Sequence, residues 1–562
     1  MIPVGVCAFP QPAANAPTTT AYANYIDEIL EHDGLCVHRL EPSELADALA
    51  DLKVLLTIGE GILPESMTDW VAGGGQWISV GGVCGLPEVL GVEAIPPAYA
   101  LWGAGACTLG EGYLQPESNG HILTGHIEIP LHYFNGIAAQ ATTGTVIARC
   151  LSKHGQKTDR DGIVENRHGN GSALFVAVDV TGTIVRIQQG TAVTRDGIPS
   201  ADGTGPSSDN VLKSDDGQVL DWEFDRSEVP GAPGLKAFLH PVADMWREVI
   251  LRALLYCALE ANAPLPLVWR WPRNLPAVAA MSHDSDLNEP ENAVLMLRTL
   301  KELGVHTTWC LMHPGLPAET VQEIENDGHE LAFHYDAMSD GCEWSEEEFV
   351  RQVDGLRAEY GCSPVTNKNH YLRWEGDTEF YDWLIRRGFQ MNQCKGASKT
   401  GEAGFNFGTT GPFFPVDRIG ERIDVLEAPT ITQDLCIFAP PEIAEPLRNA
   451  VLKTHGLLHH LFHPAHIAKP GVADALKACV NDARSAGMEW WTFARLNDWE
   501  RARRMVRWTD CDTLVSETDI DDVTVLTLDD EGGTERWGYR FRSEVRSLKP
   551  GETVRFEQGE RT

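Results

Sequence analysis

The 562-residue sequence predicts an α/β protein in three parts. These are a doubly wound N-terminal domain with β-rich additions over 1–262, a distorted (β/α) barrel of seven or eight strands over 275–505, and a small β appendage over 506–562. Three observations carry this. Apolar strand-like runs alternate with helix-periodic stretches in the first hundred residues and again from residue 275, the pattern of parallel sheets. Between the two sets, 262–273 holds three prolines and two tryptophans, a linker composition. The chain is also too long for a single hydrophobic core.

In order, the N-terminal strands are expected over 3–8, 35–40, 53–58 and 76–80, with helices over 20–32, 43–52 and 64–73. From 100 to 240 the chain is rich in Gly, Thr and Val, with β-type patterns at 145–150, 172–180 and 183–188. The Asp/Gly/Ser stretch 201–217 lacks calcium-loop spacing and is expected to be a solvated loop. A strong helix pattern over 242–261 closes this part. The barrel strands are expected over 277–282, 306–311, 329–335, 365–370, 389–394, 422–427, 457–463 and 489–493. Helices over 291–303, 317–326, 345–360, 378–387, 441–453, 472–486 and 496–505 lie between and after them. Past Trp508, alternation over 523–528 and 537–541 around a 529–533 turn makes the appendage.

Composition excludes several function classes. Hydrophobic content of 43% and charged content of 22% are ordinary for a globular protein. The net charge of −36 argues against nucleic acid and anionic membranes as partners, since both repel an acidic surface. The 13 cysteines are odd in number and form no Cys-x-x-Cys pair, which fits free thiols in a reducing compartment and disfavours zinc–cysteine sites. The N-terminus has no basic segment before Arg39, and the uncharged 70–87 stretch is too glycine-rich for a membrane span. A cytoplasmic protein is expected, with a homo-oligomeric state left open.

The polar clusters fall at the ends of barrel strands, where barrels of this type place their chemistry. The first strand ends in Ser282-His283-Asp284-Ser285-Asp286. The third ends in Gly328-His329-Glu330-Leu331-Ala332-Phe333-His334-Tyr335-Asp336. The fourth ends in Asn367-Lys368-Asn369-His370-Tyr371-Leu372-Arg373, and a late one in His459-His460-Leu461-Phe462-His463-Pro464. A single histidine at a strand end is usually structural. Several on separate strands, beside an Asp-x-Asp pair, suit zinc or a related divalent ion.

These segments resemble the polysaccharide deacetylase (NodB-homology) family over about 275–505. Gly328-His329-Glu330-Leu331 with His334 matches that family's second motif closely, Asp284 and Asp286 stand for its acidic pair, and His463 for its late histidine. The resemblance departs at Met338, where a second metal histidine is expected, and at Ser285, which separates the acids. It implies a metal-dependent hydrolase that removes N-acetyl or related acyl groups from a carbohydrate or small amide. Asp286, His334 and His370 would hold the metal, zinc first among candidates, with His370 replacing the histidine lost at Met338 and Asp336 as a second candidate ligand. Asp284 would be the general base, His463 the acid for the leaving amine, and Arg373 the residue that orients Asp284. Backbone N–H groups near Tyr335, together with Asp336 and Trp374, would face substrate, and Trp344 and Phe414 are further stacking candidates. His283, His329, His459 and His460 are assigned to structure.

Asp69-Trp70-Val71-Ala72-Gly73-Gly74-Gly75-Gln76-Trp77-Ile78, followed by Leu86-Pro87-Glu88-Val89-Leu90-Gly91-Val92, looks like the flavodoxin-type, glutamine-amidotransferase-like domains attached to carbohydrate enzymes. Gly82-Val83-Cys84-Gly85 is superficially an amidotransferase elbow, with His126 and Glu128 as the nearest base and acid. A small buried Cys84 in a non-catalytic domain is the expectation. Two alternatives stand beside the deacetylase: a catalytically inactive carbohydrate-binding protein on the same scaffold, and a Cys84-dependent amidotransferase-like enzyme.

Overall fold

The structure, a computed structural model, describes residues 1–10, 22–95, 107–118, 120–197, 202–204 and 210–556. The start of the expected 20–32 helix and part of the 201–217 loop lie outside them. Among the described residues no helix is long and apolar enough to cross a membrane, and all 13 cysteines are free thiols.

The N-terminal part of the chain carries one mixed nine-stranded sheet. Five strands are parallel, in the order His38–Leu40, Val4–Ala8, Val54–Ile58, Gln76–Val80 and Gly171–Val176. Lys157–His168, Thr145–Ser152, Gly112–Pro116 and Leu131–Tyr133 then extend it by antiparallel pairing. The expected β-rich additions are therefore continuous with the parallel sheet.

One expected strand is a helix. Residues 183–188 lie inside the α-helix Val180–Gln189. Its N-cap is Asp179, whose carboxylate accepts the Gly182 N–H at 3.0 Å, a start signal that the β-branched Thr and Val obscured. Asp179 is buried, and burial pushes its carboxyl up to about 7 against the opposing Gly182 and Thr181 hydrogen bonds. A raised folded pKa means the native state holds a proton that the unfolded chain has lost. Stability should therefore fall as pH rises from about 4 to about 7. In Asp179→Asn, which keeps the cap, denaturant midpoints across that range should lose this component of the slope.

The 262–273 segment is not a free tether. Leu267–Val268 pairs antiparallel with Ile520–Leu528 of the appendage, and Trp269 and Trp271 are fully buried. One apolar cluster runs from Val4 and Leu56 through Trp246 and Leu254 to Trp271, Val278, Leu457 and Phe541, so the three parts share a core. Cutting either linker tryptophan back to alanine should cost about 3–5 kcal/mol.

The barrel sheet holds nine strands, and every pair in it is parallel. Its order is Leu426–Glu427, Met391–Asn392, Thr366–Asn369, Glu330–Tyr335, Thr308–Met312, Val278–Asp284, Leu457–Leu461 and Thr432–Gln433, with Glu489–Trp491 also pairing to Val278–Asp284. The described residues show no pairing between Leu426–Glu427 and Thr432–Gln433, so the sheet curls without closing. The two-residue strand Thr432–Gln433 has no periodicity to announce it.

Candidate metal centre

The strand Val278–Asp284 ends beside Cys310 of its neighbour. Asp284 is the last residue of the strand and Asp286 lies in the turn just past it, and both carboxylates face His334 and His463. Ser285 faces the other way. Its hydroxyl accepts the Met312 N–H at 3.0 Å and donates to Asn288 at 2.9 Å. The residue between the acids is thus a structural anchor that preserves their common face.

Three imidazoles reach this face from three strand ends. The Nδ1 of His334 bonds the Lys368 carbonyl at 3.0 Å, and that of His370 bonds Asp336 Oδ1 at 3.0 Å. The Nδ1 of His463 bonds the Asp434 carboxylate in a short contact. With Nδ1 donating, each ring turns Nε2 inward toward the acids, the arrangement that prepares histidines for a metal. Nε2 of His334, His463 and His370 lie 3.1, 3.5 and 3.8 Å from the Asp286 carboxylate. Asp284 is more remote, 3.9 Å from both His334 and His463.

Lone pairs facing a carboxylate repel one another unless a proton or a cation lies between them. Without a metal the attraction appears as charge. Burial opposes ionisation of Asp286, but His463 and the His334 hydrogen bond hold its carboxyl well below the usual range. Burial likewise opposes charging of His463, yet Asp434 and Asp286 push it up to about 9. Asp434 is held at about 2 by His463 and His466 despite its burial. One further atom bears on a cation: Asp284 Oδ1 is buried and has no hydrogen-bond partner. An orphaned carboxylate oxygen is costly, and beside imidazole nitrogens it fits a divalent ion of the zinc class. Among the described residues, the groups whose donor atoms all lie within 4.8 Å of one another are Asp284–Asp286–His463 and Asp434–His463–His466. His334 and His370 each approach Asp286 but belong to neither group.

Several expected roles change. Arg373 does not orient Asp284. Its guanidinium pairs with Glu375, two residues away in the same loop, and also reaches Met338 Sδ at 3.6 Å. The cation beside Asp284 is Lys368, fully buried, with Nζ 3.7 Å from Asp284 Oδ2 and 3.2 Å from Ser282 Oγ. Asp336 faces His370 and the N–H groups of Met338 and Ser339, so it orients an imidazole and does not meet substrate. Tyr335 is a core residue, its hydroxyl bonded to the Glu343 and Ser345 carbonyls. Trp374 is buried against Trp344, Phe380 and Tyr381 under the Lys395 ammonium, and Phe414 is buried beneath arginines. Neither ring is available for stacking.

His283, His329, His459 and His460 are buried, and their pKa values are lowered chiefly by burial. This agrees with their structural assignment. His459 also joins the chain behind Asp284, with Nε2 3.0 Å from Ser282 Oγ. Lys368, Asp434 and His466 were missed from the sequence. The available signal was the run Thr366–Asn369, a fully buried strand made of polar residues.

Cys84 is buried and adopts φ 48°, and burial pushes its thiol up to about 12. His126, the base considered for it, instead bonds the Met245 carbonyl at 2.9 Å, and among the described residues no histidine lines the cleft beside Cys84. A thiol so reluctant to ionise is a poor nucleophile. Cys84→Ala should leave turnover unchanged, and a large loss in a steady-state assay would restore the amidotransferase alternative.

No protein-family description matches the chain, and no curated protein matches it either. Solved structures do. A protein described as a polysaccharide deacetylase from Mycobacterium smegmatis shares 17% identity over 43% of this chain and 95% of its own, with a TM-score of 0.34. Puue allantoinase shares 12% over 41% and 92%, at 0.32. A GH42 beta-galactosidase from G. stearothermophilus shares 12% over 32% of this chain and only 27% of its own, at 0.24. Likenesses this distant fix neither fold nor activity, so the chemistry of the site has to carry the function.

Proposed function

We propose that the protein is a metal-dependent hydrolase that removes an N-acyl group from a carbohydrate or related amide. The observation that carries this reading is the common orientation of His334, His370 and His463. Each spends Nδ1 on an oxygen acceptor and turns Nε2 toward Asp286. Asp286, His334 and His370 would hold the ion. A divalent ion there supplies Lewis-acid polarisation of the amide carbonyl and a water acidified toward neutral pH.

The remaining work belongs to the chain itself. Asp284 accepts the proton of the attacking water as general base. Lys368, itself bonded to Ser282, holds that carboxylate in place from behind. His463, kept protonated by Asp434, gives its proton to the leaving nitrogen.

The test is metal content and acyl release together. Purified protein should carry about one zinc-like ion per chain by elemental mass spectrometry. Chelation should abolish release of acetate from N-acetylated sugars, and added zinc should restore it. Protein that takes up no divalent ion would favour the inactive carbohydrate-binding alternative.

A further inference from the structure

The backbone leaves His370 through a strained turn. Tyr371 adopts φ 58°, ψ 18°, and Leu372 follows at φ 53°. Both lie in the left-handed region, which residues with a Cβ resist. A residue held there persists only where its surroundings over-determine it. Leu372 is buried and has packing to offset the strain, whereas Tyr371 is 55% exposed and has little. Within the barrel the turn is closed by the Arg373 N–H, which donates to the His370 carbonyl at 3.0 Å, and by Asn369 Nδ2, which donates to the Arg373 carbonyl at 2.9 Å.

The rest of the hold comes from the N-terminal part of the chain. Two of its strips, around 191–193 and 212–214, pair with the segment that follows the turn. The Trp374 N–H donates to the Leu212 carbonyl at 3.0 Å, next to an antiparallel bridge between Lys213 and Arg373. Val193 and Gly376 exchange both backbone hydrogen bonds, at 2.7 and 2.8 Å. Asp216 ties the strips to each other. One of its carboxylate oxygens accepts the Gly197 N–H at 2.9 Å, and the other accepts the Lys213 N–H at 2.8 Å. Ser214 Oγ then donates to the Cys394 carbonyl of the barrel at 2.6 Å. The strand Thr366–Asn369 fixes the chain before His370, and the two strips fix it after the turn.

We infer that the N-terminal part completes the metal centre: its 191–193 and 212–214 strips hold the strained turn after His370 and so set where that imidazole stands. This rests on the reading of His370 as a ligand. Val193, Leu212, Lys213 and Asp216 are then positioning residues, acting on the site through the backbone of 370–376.

Two readouts on the full chain test this together: cobalt(II) affinity by chelator competition, and amide hydrogen exchange over 370–376 in metal-free protein. Asp216→Ala and Val193→Pro, each checked for folding by circular dichroism, should speed exchange of the Trp374 and Gly376 amides and weaken cobalt binding about tenfold to a hundredfold. Asp216→Asn, which can accept one of the two N–H groups, should fall between Asp216→Ala and the native chain. Asp529→Ala removes another buried turn carboxylate, in the appendage, and should change neither readout. The inference is overturned if exchange is unchanged, or if exchange quickens while cobalt binding stays intact in a protein whose His370→Ala variant binds weakly. If His370→Ala itself binds cobalt as the native chain does, the ligand assignment fails and takes the metal half of the inference with it, and the exchange data alone decide the clamp.

Discussion

Asp286→Ala should yield a folded protein that has lost its divalent ion and its turnover together. Asp286 is the carboxylate on which the three imidazoles converge, at 3.1, 3.5 and 3.8 Å. Its side chain is 23% exposed, so removing it opens no large cavity in the core. A metal that polarises a carbonyl contributes several kcal/mol to the transition state, so at about 1.4 kcal/mol per tenfold the loss should be roughly a thousandfold or more. Elemental analysis and acyl-release kinetics on the same preparation check it. Full metal retention would transfer the ligand role to Asp284, which lies with Asp286 and His463 in one group of mutually close donors.

Lys368→Met should be nearly as damaging, through a different term. A fully buried ammonium is tolerable only with a counter-charge, and Asp284 Oδ2 at 3.7 Å is the carboxylate within reach. Breaking one side of a buried pair typically costs about 3–5 kcal/mol, because the other charge stays buried alone. Asp284→Asn should show a comparable penalty, and the double variant Lys368→Met/Asp284→Asn should recover much of it. Chemical denaturation of the four proteins gives the coupling directly. Additive losses would show that Lys368 does not pair with Asp284. Arg373→Ala is the contrasting control: its partner is the half-buried Glu375 of its own loop and not Asp284, and its effect on turnover should be small.

Which residues lie near which could be read from the sequence only where a local rule operates. Asp284 and Asp286 are two apart at the tip of an apolar run, where period-two alternation predicts a common side, although the strand itself ends at Asp284 and Asp286 lies in the turn. His334, His370 and His463 end strands of a parallel sheet, and parallel order alone brings such ends to one edge. The assignment of Arg373 failed because it rested on resemblance. No spacing rule could reveal that Glu375 captures the guanidinium within its own loop, or that Met338 lies against it. Residues 183–188 failed because β-branched side chains suit a strand, whereas the Asp179 cap and tertiary packing selected a helix.

The sequence by itself determined the mixed α/β character with a parallel sheet in the second half, and the acids and histidines that its strand ends bring together. These follow from periodicity and residue type, which are local properties. Only the tertiary structure decided the partners: Lys368 behind Asp284, Asp434 behind His463, Asp336 behind His370, and His126 at the Met245 carbonyl, away from Cys84's cleft. Those pairings join residues from separate strands and loops. Burial makes an unpaired charge or an unmet acceptor costly, so the folded packing, and not the local sequence, selects who answers whom.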